Sequence, residues 1–240
     1  MKIMRVVCLV AAVVVAAGPA VPPAHAATQV SVWPATLSFG TPGGEFAWTS
    51  TVLGLRFDQG LAPMVGLRTT LQYGPVSGLT FGGASLSGYS GQTLAGEALL
   101  RVGLGAGRVG VGGFAGYGGY VLHASGPSAS DRILLQDLGV RVGVDLALAV
   151  APALSLRATY ALSPSVNVQA DYALSSPPAS GQFTGTGSGS DLEAVLVFSP
   201  VPRTAVFAGY RSVTRQVSWT GGPDTTSSFT GWVVGLTLSF

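Results

Sequence analysis

Between Leu134 and Val150 the chain alternates with a period of two. Leu134, Leu138, Val140, Val142, Val144, Leu146, Leu148 and Val150 fall on one side, and Asp137, Gly139, Arg141, Gly143, Asp145 and Ala147 on the other. Successive strand side chains point to opposite faces, so the segment predicts a strand with one greasy face and one face of charge and glycine. Related alternation recurs along the chain, and helical periodicity is absent. It predicts strands near 45–57, 63–73, 93–104, 108–123, 132–150, 153–173, 191–198, 203–218 and 228–240. Short connections are expected at 58–62, 105–107, 151–152 and 199–202, and longer ones rich in Gly, Ser, Thr and Pro at 74–92, 126–130, 175–190 and 220–227. Short and long alternate, as in an up-and-down meander with tight turns on one side and long loops on the other. Nine strands would leave the chain ends on opposite sides. The segment 30–39 supplies a tenth, with 41–44 as the first outer connection, although Pro34 argues against a central strand there. Eight strands is the alternative, with this segment a tether and two of the strands merged.

Composition decides what surrounds the greasy face. Of 240 residues, 48% are hydrophobic, 9% are charged and 35 are glycine, which excludes disorder. A soluble antiparallel sheet would place many Lys and Glu on its outer face, yet Lys2 is the only lysine. If lipid is the solvent, the pattern inverts: apolar residues point outward, and Arg, Asp and Gly line an interior. No later apolar run approaches the ~18 residues of a membrane-spanning helix. The expected fold is therefore all-β, a transmembrane antiparallel β-barrel.

The first residues are expected to be removed. Lys2 and Arg5 flank the start of the chain, 6–17 is an apolar run, and a Pro-containing stretch ends in Ala24-His25-Ala26, the order of a secretory signal peptide cut after Ala26. Residues 1–26 are then the signal and 27–240 the barrel. Without Lys2 and Arg5, ten of the 12 basic residues remain, all Arg, against 10 acidic ones. Net charge is zero, so no basic footprint for nucleic acid is expected. Cys8 is the only cysteine and lies within the signal, which leaves no disulfide, thiolate nucleophile or cysteine metal site. His123 becomes the single histidine, and neither metal nor cofactor is expected.

At the C-terminus Trp232, Val234, Leu236, Leu238 and the terminal Phe240 alternate with Gly231, Val233, Gly235, Thr237 and Ser239. This resembles the terminal strand of bacterial outer-membrane β-barrel proteins, the class of small OmpA-like and porin-like barrels. The resemblance implies an outer-membrane location in a diderm bacterium and recognition of this strand by the barrel assembly machinery. A monomer in contact with outer-membrane lipid is expected. Aromatic rings favour membrane interfaces: Phe57, Phe198 and Phe240 are placed at periplasmic ends, and Tyr73, Tyr172 and Trp232 toward outer ends, all on the lipid face.

The opposite parity offers Arg56, Arg68, Glu97, Arg101, Asp137, Arg141, Asp145, Arg157, Asp191, Glu193 and Arg211 as an interior charge network. Counting back from the turns places Asp145 near Arg157 and Asp191 near Arg211, and Arg141 is expected to serve Asp137 and Asp145. A ten-stranded barrel is roughly 20 Å across between backbones, so Arg side chains from both walls could largely fill it. Glycines 110, 112, 116 and 118 share the inward face near Phe114 and Tyr120, leaving space or permitting curvature. A structural or passive role is expected, with a narrow channel for ions or small solutes as the alternative. Outer loops 74–92 and 175–190 could instead contact a partner, but their composition is equally that of spacer.

His123-Ala124-Ser125 with Asp137 faintly resembles the His-x-Ser and downstream acid of outer-membrane lipid A deacylases. Gly126 departs from the Asn usual in that family, and Asp137 falls on the inward face while His123 and Ser125 fall on the lipid face, with residue 133 expected opposite His123. The chain is expected not to be an enzyme.

Overall fold

The computed structural model describes residues 26–62, 64–106 and 108–240. The expected signal peptide lies outside these residues apart from Ala26. Twelve strands follow in order: β1 (Ala27–Thr41), β2 (Gly44–Ala62), β3 (Val65–Pro75), β4 (Ser77–Phe81), β5 (Ala84–Ser85), β6 (Ser90–Ala106), β7 (Val109–Ser125), β8 (Arg132–Ala151), β9 (Leu154–Ser175), β10 (Pro178–Val201), β11 (Thr204–Trp219) and β12 (Thr225–Ser239). Ten of them form one antiparallel sheet in the order β1-β12-β11-β10-β9-β8-β7-β6-β3-β2, and β1 pairs with β2 to close it. Closure gives every barrel strand two neighbours, which removes the edges that an open sheet would expose. The first and last described residues meet at one end, where Phe240 N–H donates to the Ala26 carbonyl at 2.8 Å. The tight turns share that end, the periplasmic one in a barrel of this kind.

Residues 27–41 form a full strand rather than a tether, so the count is ten and not eight. Pro34 sits in this central strand despite its missing N–H. It pairs by position with Thr51 of β2, while Trp33 and Pro34 interrupt the ladder to β12 between Val32 and Ala35 without shifting its register. The segment 74–92, expected as a loop, contains the β4–β5 hairpin. Gly82 and Gly83 hold φ of 55° and 83° at its tip, a left-handed turn that side chains with a Cβ rarely adopt. The hairpin pairs with the outer end of β2 and buries Leu79, Phe81 and Leu86 over the lumen.

The larger correction concerns 175–190, which was expected to be a long loop. It belongs instead to a tall hairpin, with Ser175 paired to Pro178 and β10 continuing to Val201. Gly, Ser and Thr read as spacer because they supply no greasy face, but here their backbones pair with β9 from Pro178 and with β11 as well from Gly185. The outward positions Gln182, Thr184, Thr186 and Ser188 are polar and exposed, whereas Leu192, Leu196 and Phe198 lower on the same face are apolar and exposed.

β9 shows how the wall changes character. Its even positions are apolar from Leu154 to Leu174. Leu156, Tyr160 and Leu162 point outward, but Val166, Val168, Ala170, Tyr172 and Leu174 are buried inside. A bulge lies between them: on β8 the pairing steps from Val140↔Ser165 to Val142↔Leu162, so Ser163 and Pro164 together oppose Arg141. One extra residue sends all later side chains to the opposite face. Tyr172, expected on the lipid face, is therefore 2% exposed and packed inside.

Candidate functional site

The interior has a charged storey toward the periplasmic end and an aromatic storey above it. In the lower storey β2, β3, β6 and β8 point Asp58, Arg68, Arg101 and Asp145 at one another. Arg68 lies 3.0 Å from Asp58 and 3.3 Å from Asp145, and Arg101 lies 3.1 Å from Asp58 and 2.7 Å from Asp145. Thr159 on β9 donates to Asp145 at 2.7 Å. A second cluster gathers Glu97, Arg141, Asp191 and Arg211. Arg141 is 2.9 Å from Glu97 and also bonds Asp191, to which Arg211 donates at 2.6 Å. Thr70 donates to Glu97 at 2.8 Å, and the Arg211 guanidinium lies 5.1 Å from the Trp33 ring centre. Arg56 is 3.6 Å from Glu193, and Arg215 is 3.7 Å from Asp137.

Three expected pairings differ. Asp145 does not meet Arg157: the register sets Asp145 opposite Thr159 and Arg157 opposite Ala147, and Asp145 turns across the lumen to Arg68 and Arg101. Arg157 makes no ion pair within 4 Å among the described residues and is exposed at the periplasmic end. Arg141 serves neither Asp137 nor Asp145. Residues four apart on one strand are ~13 Å apart, so charges on a single strand find partners across the lumen instead. Asp58 and Arg215 belong to the interior but were not among the expected residues. Asp58 resembles the opening of a turn, yet β2 runs on to Ala62 and keeps it on the inward parity of Arg56. Arg215 shares the parity of Arg211 four residues earlier, a signal that could have found it.

The upper storey was only partly legible as interior: Tyr120 was expected beside the inward glycines, but Tyr172 on the lipid face and Phe183 in a loop. Phe46 lies 4.6 Å from Phe81 and 5.1 Å from Tyr172 between ring centres, Phe183 lies 6.2 Å from both Tyr172 and Trp219, and Tyr120 lies 4.8 Å from Phe229. Trp48 stacks on Tyr120 at 6.4 Å. The rings, with Leu122, Ile133 and Leu135 fully buried among them, close the outer half of the lumen. A cavity of about 80 Å³ remains between the storeys, bordered by Glu97, Asp137, Arg141, Arg211, Arg215, Tyr120 and Phe229. The inward glycines of β7 do not open this space generally. A Cβ on Gly116 would come 2.0 Å from the Ala98 carbonyl oxygen and one on Gly118 3.1 Å from the Glu97 Cβ, so they permit close approach of β6.

On the outer wall, Trp232, Val234, Leu236, Leu238 and Phe240 all point outward, Trp232 packing edge-on against Tyr210 at 5.5 Å. His123 and Ser125 are exposed, whereas Asp137 is buried on the other face, and Leu134 rather than residue 133 lies opposite His123. The wall thus separates the acid from the His-x-Ser pair. Above the barrel rim Asp131 accepts from the Ser175 hydroxyl at 2.9 Å and from Ser128 N–H at 3.1 Å. Burial works against its ionisation, but these hydrogen bonds prevail and hold its carboxyl below the usual range.

No protein family and no curated protein matches the chain in sequence. Solved structures do match it in fold. The outer membrane protease OmpT of Escherichia coli aligns over 93% of this chain and 99% of its own, with a TM-score of 0.55 and 10% identity. The translocator domain of the autotransporter NalP of Neisseria meningitidis aligns over 100% and 96%, with a TM-score of 0.51 and 12% identity. At such identity the likeness carries the fold and not the activity. Lipid-type alternation, closure of ten strands and these neighbours agree: the chain has the closed antiparallel barrel fold of outer-membrane β-barrels.

Proposed function

We propose that this protein is a closed, non-conducting and non-catalytic barrel with a structural role in the outer membrane. The observation that carries this reading is the filled lumen, with ion-paired Arg, Asp and Glu below and a packed aromatic layer above. Separation of Asp137 from His123 and Ser125 favours a non-catalytic role, since a base must lie within hydrogen-bond reach of the groups it serves. The barrel works as a monomer, and its terminal strand, Trp232 to Phe240, is the segment that the assembly machinery reads. Phe240→Asp should then reduce membrane-fraction protein far more than Ser239→Asp, and equal yields would remove the terminal-strand argument.

Planar-bilayer recording of refolded protein tests the main reading. Conductance near zero is expected, and large, steady, ion-selective openings would overturn it. A narrow pathway for ions or small solutes is the second reading, favoured by the charged residues Glu97, Asp137, Arg141, Arg211 and Arg215 that border the cavity between the storeys.

A further inference from the structure

The outside of a closed barrel is convex, yet a concavity of about 570 Å³ crosses its outer wall on β9 to β12. Pro164 and Ser165 of the β9 bulge form one side, and Thr186, Ser188, Gln216 and Thr226 continue across the neighbouring strands. Three strand spacings make it ~14 Å wide, room for a short chain of sugars. Apart from Pro164, Gly187 and Val217 its lining is hydroxyl and amide, groups that both donate and accept, with Asp224 the one charged residue among them. Among the described residues, the side chains of Ser165, Thr186, Ser188, Gln216 and Thr226 make no hydrogen bond within the protein, which leaves them available to a ligand.

Height above the membrane selects the ligand. Ser188 is four residues beyond the outward-facing Leu192, and Gln216 and Thr226 are each six residues beyond Tyr210 and Trp232 on their own strands. A strand tilted ~40° climbs ~2.5 Å per residue, which puts the β9 edge of the groove ~5 Å above the outward-facing Leu162, and its Ser188, Gln216 and Thr226 part ~10–15 Å above Leu192, Tyr210 and Trp232. Phospholipid headgroups occupy only ~5–8 Å on each side of the hydrocarbon. A groove lined without Arg or Lys is also poorly suited to phosphate. We infer that this groove docks the uncharged sugars of an outer-leaflet glycolipid, held by hydroxyl and amide hydrogen bonds while its acyl chains pack on the Tyr210 and Trp232 surface below.

The test uses the whole barrel in phosphatidylcholine bilayers doped with lipopolysaccharide, carrying either its complete core oligosaccharide or only its acylated disaccharide. After mild detergent extraction, the glycolipid retained per barrel is counted by mass spectrometry. Complete lipopolysaccharide should be retained several-fold over the truncated form. Ser188→Trp, which fills the groove, and Gln216→Ala, which removes an amide, should each bring that ratio to about one. Both side chains point outward, and a heat-modifiable gel band confirms that each variant is folded. Soluble neutral core oligosaccharide should release the retained glycolipid and inorganic phosphate should not. Equal retention of both forms by the unaltered barrel, an unchanged ratio in both variants, or release by phosphate alone would each overturn the assignment. None of these outcomes depends on whether the lumen conducts.

Discussion

The membrane-embedded part of the barrel and the part above it are built with opposite polarity on the same strands. Below, Leu196 and Phe198 of β10 face out while Asp191 and Glu193 face in; above, Thr184 and Thr186 face out and Phe183 packs inside against Tyr172 and Trp219. The difference follows from the solvent on the outside. Lipid rewards outward apolar groups and leaves charges to find one another in the lumen, whereas water beyond the membrane restores the apolar core of a soluble sheet protein. β10 makes the change by a change of composition at constant parity. β9 keeps its composition and changes parity through the bulge at Ser163 and Pro164.

The largest effect expected is on the lower storey. Asp191→Ala leaves Arg141 and Arg211 without their shared carboxylate, and loss of one member of a buried pair costs about 3–5 kcal/mol. Urea unfolding of the refolded barrel measures it, and a change below about 1 kcal/mol would mean that water solvates this cluster. In the upper storey, Phe46→Ala should cost about 3 kcal/mol through cavity formation, because Phe46 is 0% exposed and touches Phe81 and Tyr172. It should also raise bilayer conductance more than Asp191→Ala does, if the aromatic layer is the seal.

The outer wall supplies a finer test on one strand. Ala194→Arg places a charge in the lipid band and should cost about 2 kcal/mol, while Thr184→Arg, on the same face ten residues away, should stay within about 0.5 kcal/mol. Similar penalties at both sites would erase the distinction between the regions. The smallest effect concerns the rim. Asp131 has its pKa depressed in the fold, so its contribution is complete above the unfolded value of ~3.9 and fades as pH falls through the lower folded value. Hydrogen exchange of loop 126–131 should accelerate over that acid range, and Asp131→Asn should remove the dependence.

Much of the architecture could be read from alternation alone, because a period of two is a local property of the chain. The alternation from Leu134 to Val150 and at Trp232 to Phe240 places side chains as the closed barrel has them, and even the Pro-containing first strand follows from the need for both ends to lie on one side. The sequence could not show which solvent each stretch of a strand would meet. Gly, Ser and Thr at 178–190 therefore read as loop, although neighbouring backbones pair them into β10. Nor could parity survive a bulge whose presence depends on how β8 and β10 meet β9, which is why Tyr172 was placed on the wrong face.

The same division holds for the charges. Residue types and parity put Arg56, Arg68, Glu97, Arg101, Asp137, Arg141, Asp145, Arg157, Asp191, Glu193 and Arg211 on one face, and all of them except the exposed Arg157 enter ion pairs in the lumen, since parity holds along a strand wherever no bulge interrupts it. Pairing is decided across the lumen by closure and register, which join residues 44 and 77 positions apart, as in Arg101 and Arg68 with Asp145. The chain by itself therefore determined a membrane barrel with polar parity inward. Only tertiary closure decided that its lower lumen would be an ion-paired layer and its upper lumen a packed aromatic core, because both depend on contacts between strands distant in sequence.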